Sequence, residues 1–238
     1  MKYSFTAAIL LGLAMAVPAG AATFNATDKG GIAGRYESNA YISKSPAEAG
    51  KRKGNVAAAA FGMHESSGVL GDFAAFCLDL ATTLKTHSSY KTTDTPFSNS
   101  FALGGGKDRV QAVFDANYAT LDLHDRAQGA ALQLSLWEVI YDGTDFDLTR
   151  GNFRAKGTRS YARTTDSLAK TFLANAKTYT GPKMWNLTFL ESTGKPQSQN
   201  LVTASAVSAV PLPAGGMLLL TGLGGWAGFS ATRRRKAA

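Results

Sequence analysis

Cysteine is nearly missing from this chain: of 238 residues only Cys77 carries a thiol. A lone cysteine excludes an internal disulfide. It leaves a buried inert thiol, a bridge to another chain, or a reactive group. Histidine is scarce too, and three of them need no catalytic explanation. Excess charge is also largely absent once the ends are set aside. Five basic residues, Lys2, Arg233, Arg234, Arg235 and Lys236, sit in two tails that hold no acid. The body between them carries 20 basic against 17 acidic residues, which is no nucleic-acid footprint. There is no internal repeat.

The two ends carry the apolar runs. Lys2 precedes Ala7 to Val17, Pro18 breaks that run, and Ala19-Gly20-Ala21 offers small residues for signal peptidase. This pattern predicts a secretory signal peptide over 1–21, with the mature chain starting at Ala22 or Thr23. At the other end, Ala214 to Ala231 gives 18 residues, or about 27 Å of helix, for a core of about 30 Å. The basic stop Arg233-Arg234-Arg235-Lys236 is expected to stay cytoplasmic. Val210-Pro211-Leu212-Pro213-Ala214, the apolar helix and the Arg run occur in that order. Together they resemble the VPLPA variant of the PEP-CTERM sorting signal. That resemblance implies recognition by an exosortase-type membrane protease, inner-membrane anchoring before processing, then a cell-surface or extracellular location.

The expected layout is a signal peptide (1–21), an exported domain (22–207) and a sorting tail (208–238) with a transmembrane helix over 214–231. Within the exported domain, strands are expected over 55–63 and 69–80. In the second, Phe73, Ala75, Cys77 and Asp79 share a face. Residues 81–106 read as loop. Helices are predicted over 107–121, 125–141 and 165–179 from apolar residues at helical spacing, with Asp125 as N-cap of the second and Gly143 just past its end. Trp185, Leu187 and Phe189 alternate with polar residues and, with 200–207, predict a terminal hairpin. Strands, then helices, then strands imply an α+β domain: an antiparallel sandwich or sheet core with an inserted helical segment.

Cys77 lies in Phe76-Cys77-Leu78, and Leu132-Gln133-Leu134-Ser135-Leu136-Trp137 comes 56 residues later. These two segments resemble the paired motifs of bacterial thioester domains. The resemblance implies that the Cys77 thiol attacks the Gln133 side-chain amide, releasing ammonia and leaving an internal thioester for covalent adhesion to an amine-bearing surface ligand. Such a bond needs a thiolate or a proton acceptor, donors for the developing oxyanion, and apolar cover. Phe76 and Trp137 are the candidate shield, and His64 and His124 the candidate proton carriers. Asp79 reads as a donor-orienting group or, more simply, a turn residue.

Other patterns are weaker. Asp142, Asp145 and Asp147 crowd a Gly-containing loop but lack the further oxygen ligands and distant Glu of a calcium loop, so capping and turns are the better reading and no metal or cofactor is expected. Lys51-Arg52-Lys53 reads as a solvated loop, with anionic polysaccharide as a second reading. Gly224 and Gly228 form a small-residue helix motif inside the tail. No Cys-hydrolase signature surrounds Cys77, so no enzyme is expected. The function expected is an exported, sorted surface or matrix protein with a thioester-type adhesion module. The alternative is a non-reactive structural or exopolysaccharide-associated protein with the same fold.

Overall fold

The computed structural model describes residues 23–96, 106–143 and 145–207. The signal peptide, the VPLPA motif at 210–214, the span over 214–231, the basic stop at 233–236 and the Gly224/Gly228 pair lie outside the described residues. By its internal contacts the chain divides after Ser205. Among the described residues no helix is long and apolar enough to cross a membrane.

In chain order the elements are β1 (Thr23–Gly31), β2 (Ala40–Lys44), β3 (Gly54–Val56), β4 (Phe61–Glu65), β5 (Asp72–Cys77) and β6 (His87–Thr92). Then come α1 (Gly106–Asn117), α2 (Arg126–Tyr141), β7 (Arg154–Gly157), α3 (Ala162–Thr178), β8 (Trp185–Ser192) and β9 (Leu201–Ala206). The α+β class holds, but the sandwich does not. Six strands close into a barrel in the order β1-β4-β5-β9-β8-β6, and β3-β2-β7 form a separate small sheet. Strand β6 makes the closure, pairing with β1 on one side and β8 on the other. Its segment reads as loop in the sequence because it offers no apolar alternation: only Tyr90 among His87–Thr92 is buried. Main-chain pairing on both edges, which leaves no sequence pattern, holds it in place.

The strand expected over 55–63 is two short strands, β3 and β4. Between them, Asn39 captures the backbone of Ala58: its Nδ2 donates to the Ala58 carbonyl at 2.7 Å, and its Oδ1 accepts the Ala58 N–H at 2.8 Å. The strand expected over 69–80 is confined to β5, because Gly71 at φ 63° and the carboxylate of Glu65 shape a turn before it. The terminal hairpin is present as β8 and β9.

Helix α2 is the central element. Asp125 caps it, its Oδ1 accepting from the N–H of Ala127 at 2.7 Å and of Gln128 at 3.3 Å. A surface helix buries one stripe; α2 is buried on every side, packed against α1, α3 and β7. Its polar residues Gln133, Ser135 and Glu138 are therefore desolvated and must find partners inside the protein. Helix α1 stops at Asn117 rather than 121, where a 3-10 turn over Tyr118–Thr120 takes over. Helix α3 begins three residues earlier than its apolar stripe predicts.

Candidate functional site: the Cys77–Gln133 pair

Pairing between β4 and β5 ends at Phe61 opposite Ala75, while β9 continues beside Phe76 and Cys77. On its β4 side, Cys77 thus has a backbone N–H and C=O with no strand beside them. Gln133 supplies both missing bonds. Its Oε1 accepts the Cys77 N–H at 2.8 Å, and its Nε2 donates to the Cys77 carbonyl at 2.8 Å. One turn earlier on α2, Gly129 lets the helix come close to the end of β4: a Cβ there would stand 3.2 Å from the Ala60 nitrogen. This close approach brings the amide of Gln133 within reach of β5.

Both residues are sealed from solvent, Cys77 at 1 % exposure and Gln133 at 0 %. Burial pushes the Cys77 thiol well above its ordinary pKa, with the charges of Asp79 and Asp28 adding to it. The resting group is a neutral thiol. Burial also raises three phenols, Tyr36, Tyr90 and Tyr141, and a charge on Cys77 would raise each further. Tyr36 donates to Asp28, Tyr90 donates to the Ser198 hydroxyl at 2.9 Å, and the Tyr141 oxygen accepts the Leu80 N–H at 2.8 Å.

The other residues singled out in the sequence fall in several places. Trp137 stands one turn after Gln133, 1 % exposed, and its Nε1 has no hydrogen-bond partner among the described residues. Phe76 is next to Cys77 in sequence but on the opposite face of β5, packed edge-on against Phe114 and Tyr118 at 5.9 and 6.2 Å. His64 is held by Asp72 at 2.6 Å, at the start of β5, far from Cys77 at its end. His124 is exposed before α2, and His87 bonds Thr27 at 3.2 Å. No imidazole bonds to Cys77 or Gln133 among the described residues. Asp79 acts as a turn ligand, accepting from Thr82 N–H at 3.0 Å and from Asn200 N–H at 2.7 Å.

The acidic loop behaves likewise. Asp142 accepts from the N–H groups of Asn152 and Phe153, and Asp147 from Thr149. Among the described residues no group of three His, Cys, Asp or Glu is placed to hold a metal. Glu138 is the anomaly there. Its Oε1 accepts the Asp147 N–H at 2.9 Å, and its Oε2 has no partner among the described residues. Burial, then the carboxylates of Asp142, Asp147 and Asp145, push its carboxyl up to about 8.

A groove beside α2 has no counterpart in the sequence motifs. It has a volume of about 200 Å³ and is lined by Trp137, Leu80, Gln199, Asp28, Tyr36 and Arg52, among others. Asp28 gets there through the alternation of β1, where Phe24 and Ala26 on the same face are buried and a β-bulge intervenes between Asp28 and Gly30. The only sequence signal for it is an acid in the inward row Phe24, Ala26, Asp28.

No protein-family model and no curated protein matches this chain. Among solved structures, it is similar to the N-terminal domain of the Streptococcus pyogenes pilus tip adhesin Cpa. The identity is 13 % and the TM-score 0.42, over 76 % of this chain and 99 % of that one. It is likewise similar to an N-terminal thioester domain of a Clostridium perfringens surface protein, at 12 % identity and TM-score 0.43, over 78 % and 100 % of the two chains. A third is the N-terminal thioester domain of the fibronectin-binding protein SfbI from Streptococcus pyogenes, at 13 % identity and TM-score 0.41, over 73 % and 95 %. At these scores the likeness is loose, and the reading of the site rests on its own residues.

Proposed function

We propose that this chain is an exported, exosortase-sorted surface or matrix protein whose body forms an internal Cys77–Gln133 thioester and uses it for covalent adhesion. The observation that carries the reading is the double hydrogen bond between the Gln133 amide and the Cys77 main chain. It holds the amide against the main chain of the residue that carries the only thiol of the chain. The Cys77 N–H also donates to Oε1, the atom that gathers negative charge when sulfur adds to Cδ, and its 2.8 Å distance suits an oxyanion donor. In the reaction the Cδ–Sγ bond forms and the Cδ–Nε2 bond breaks. The thiol proton goes to the departing nitrogen, which leaves as ammonia. Desolvation, which disfavours a free thiolate, also keeps water from the product. An amine on a partner then replaces sulfur at Cδ. The protein is used once per bond formed and is no enzyme.

A second reading has its own observation. Asn39 makes the same two bonds to Ala58, where no chemistry is possible. By that precedent Gln133 is a side-chain substitute for a missing strand, and Cys77 an inert buried thiol. The protein is then a structural or polysaccharide-associated surface component. Protease digestion of the purified chain separates the two: the thioester reading expects the peptides carrying Cys77 and Gln133 to be joined, and the inert reading expects them apart with Cys77 open to alkylation after unfolding. Sequencing both ends of the exported protein tests the sorting, which expects a start at Ala22 or Thr23 and loss of the segment after the VPLPA motif.

A further inference from the structure

The groove beside Trp137 has one acid, Asp28, and one base, Arg52, in its lining. Asp28 is set for its position. Its Oδ1 accepts the Gly30 N–H at 2.9 Å across the β-bulge and also the Tyr36 hydroxyl. Tyr36, 39 % exposed, also lines the groove. Trp137, one turn beyond Gln133 on the same helix, lines it too, with an indole N–H that no described residue uses. So the lining brings together a partly exposed phenol, a carboxylate and a side chain of the helix that carries the amide. Bulges beside functional sites commonly re-aim a side chain in this way. The Tyr36 phenol keeps its proton, because burial and then Asp28 raise it, so Asp28 remains the acceptor of the pair.

We infer that Asp28, oriented by Tyr36, is the receptor for the ammonium group of the incoming nucleophile and takes its proton, which makes this groove the acceptor site for a primary amine. The inference rests on the thioester reading proposed for Cys77 and Gln133. An ammonium has no lone pair and cannot attack; a carboxylate that binds it and removes one proton frees the amine where it is needed. The amine nitrogen then bonds to Cδ of Gln133 and the C–S bond breaks. A second amine proton goes to the Cys77 sulfur, restoring the thiol. Asp28 sheds the first proton to water. Arg52 leaves the groove without net charge, so the attraction for a cation is local to Asp28.

The test uses the full chain, its Asp28→Asn variant and its Tyr36→Phe variant, each first checked by mass for loss of ammonia. Two probes are then added at neutral pH: methylamine, which is almost wholly ammonium, and hydroxylamine, which is neutral. Asn keeps an oxygen for the Gly30 N–H and the Tyr36 hydroxyl, so it preserves the local fold. Asp28→Asn is expected to slow methylamine by about 10²-fold and to leave hydroxylamine nearly unchanged. Tyr36→Phe is expected to slow methylamine selectively but less. Equal slowing of both probes, or of neither, overturns the role of Asp28 while the thioester stands. Absence of ammonia loss in the unsubstituted chain overturns the thioester reading and this inference together.

Discussion

The side-chain amide of Gln133 lies along the main chain of Cys77 and makes both hydrogen bonds that a neighbouring strand would make, each 2.8 Å long. In the unreacted chain the relationship has a structural consequence, since loss of ammonia would remove Nε2 and the bond it donates. Replacing Gln133 with Ala leaves a donor and an acceptor of Cys77 unpaired in a region with no solvent, and opens a cavity beside them. The expected cost is about 3 kcal/mol, read as a lower denaturation midpoint with unchanged slope. Cys77→Ala, which keeps those backbone bonds, is expected to cost less.

Glu138 gives a pH dependence of unusual sign. Its folded carboxyl titrates at about 8, against an ordinary value of 4.5 when unfolded. The folded state therefore holds a proton that the unfolded state has released between those values. Stability from this group is fully present below 4.5 and declines as pH rises to about 8, by roughly 1.4 kcal/mol per pH unit. Chemical denaturation across that range checks it, and Glu138→Gln is expected to remove the slope.

Glu65 acts in the opposite direction. The Ser67 hydroxyl first, then the N–H groups of Leu70, Ser67 and Val69, hold its carboxyl down to about 2. Its contribution is present above 4.5 and is lost as pH falls toward 2. These two carboxyls alone place a stability maximum near pH 4.5. Glu65→Gln is expected to weaken the acid limb and leave the alkaline limb unchanged.

Much of the site was legible in the sequence because it sits on strong patterns. Cys77 stands out as the sole thiol, α2 as an apolar stripe behind an Asp cap, and Gln133 as a polar residue on the rim of that stripe. Phe76, expected as a shield, lies on the face of β5 opposite Cys77. Neighbouring residues on a strand face opposite ways, so a residue adjacent to Cys77 in the chain need not cover it in space. The barrel was hidden because β6 closes it through backbone pairing, with Tyr90 as its only buried side chain. The groove was hidden for a related reason. Asp28 and Tyr36 meet through a bulge and a loop rather than a regular repeat, and each alone looks like an ordinary surface residue.

Intact mass tests the thioester itself. The purified chain and its Cys77→Ala variant would each be compared with the mass calculated from its own mapped ends, under mildly acidic handling. The unsubstituted chain is predicted to be lighter than calculated by about 17 Da, one ammonia, and the variant to have its full mass. Full mass in both would contradict the thioester, leaving Gln133 as a strand substitute and Cys77 as a buried, unreacted thiol.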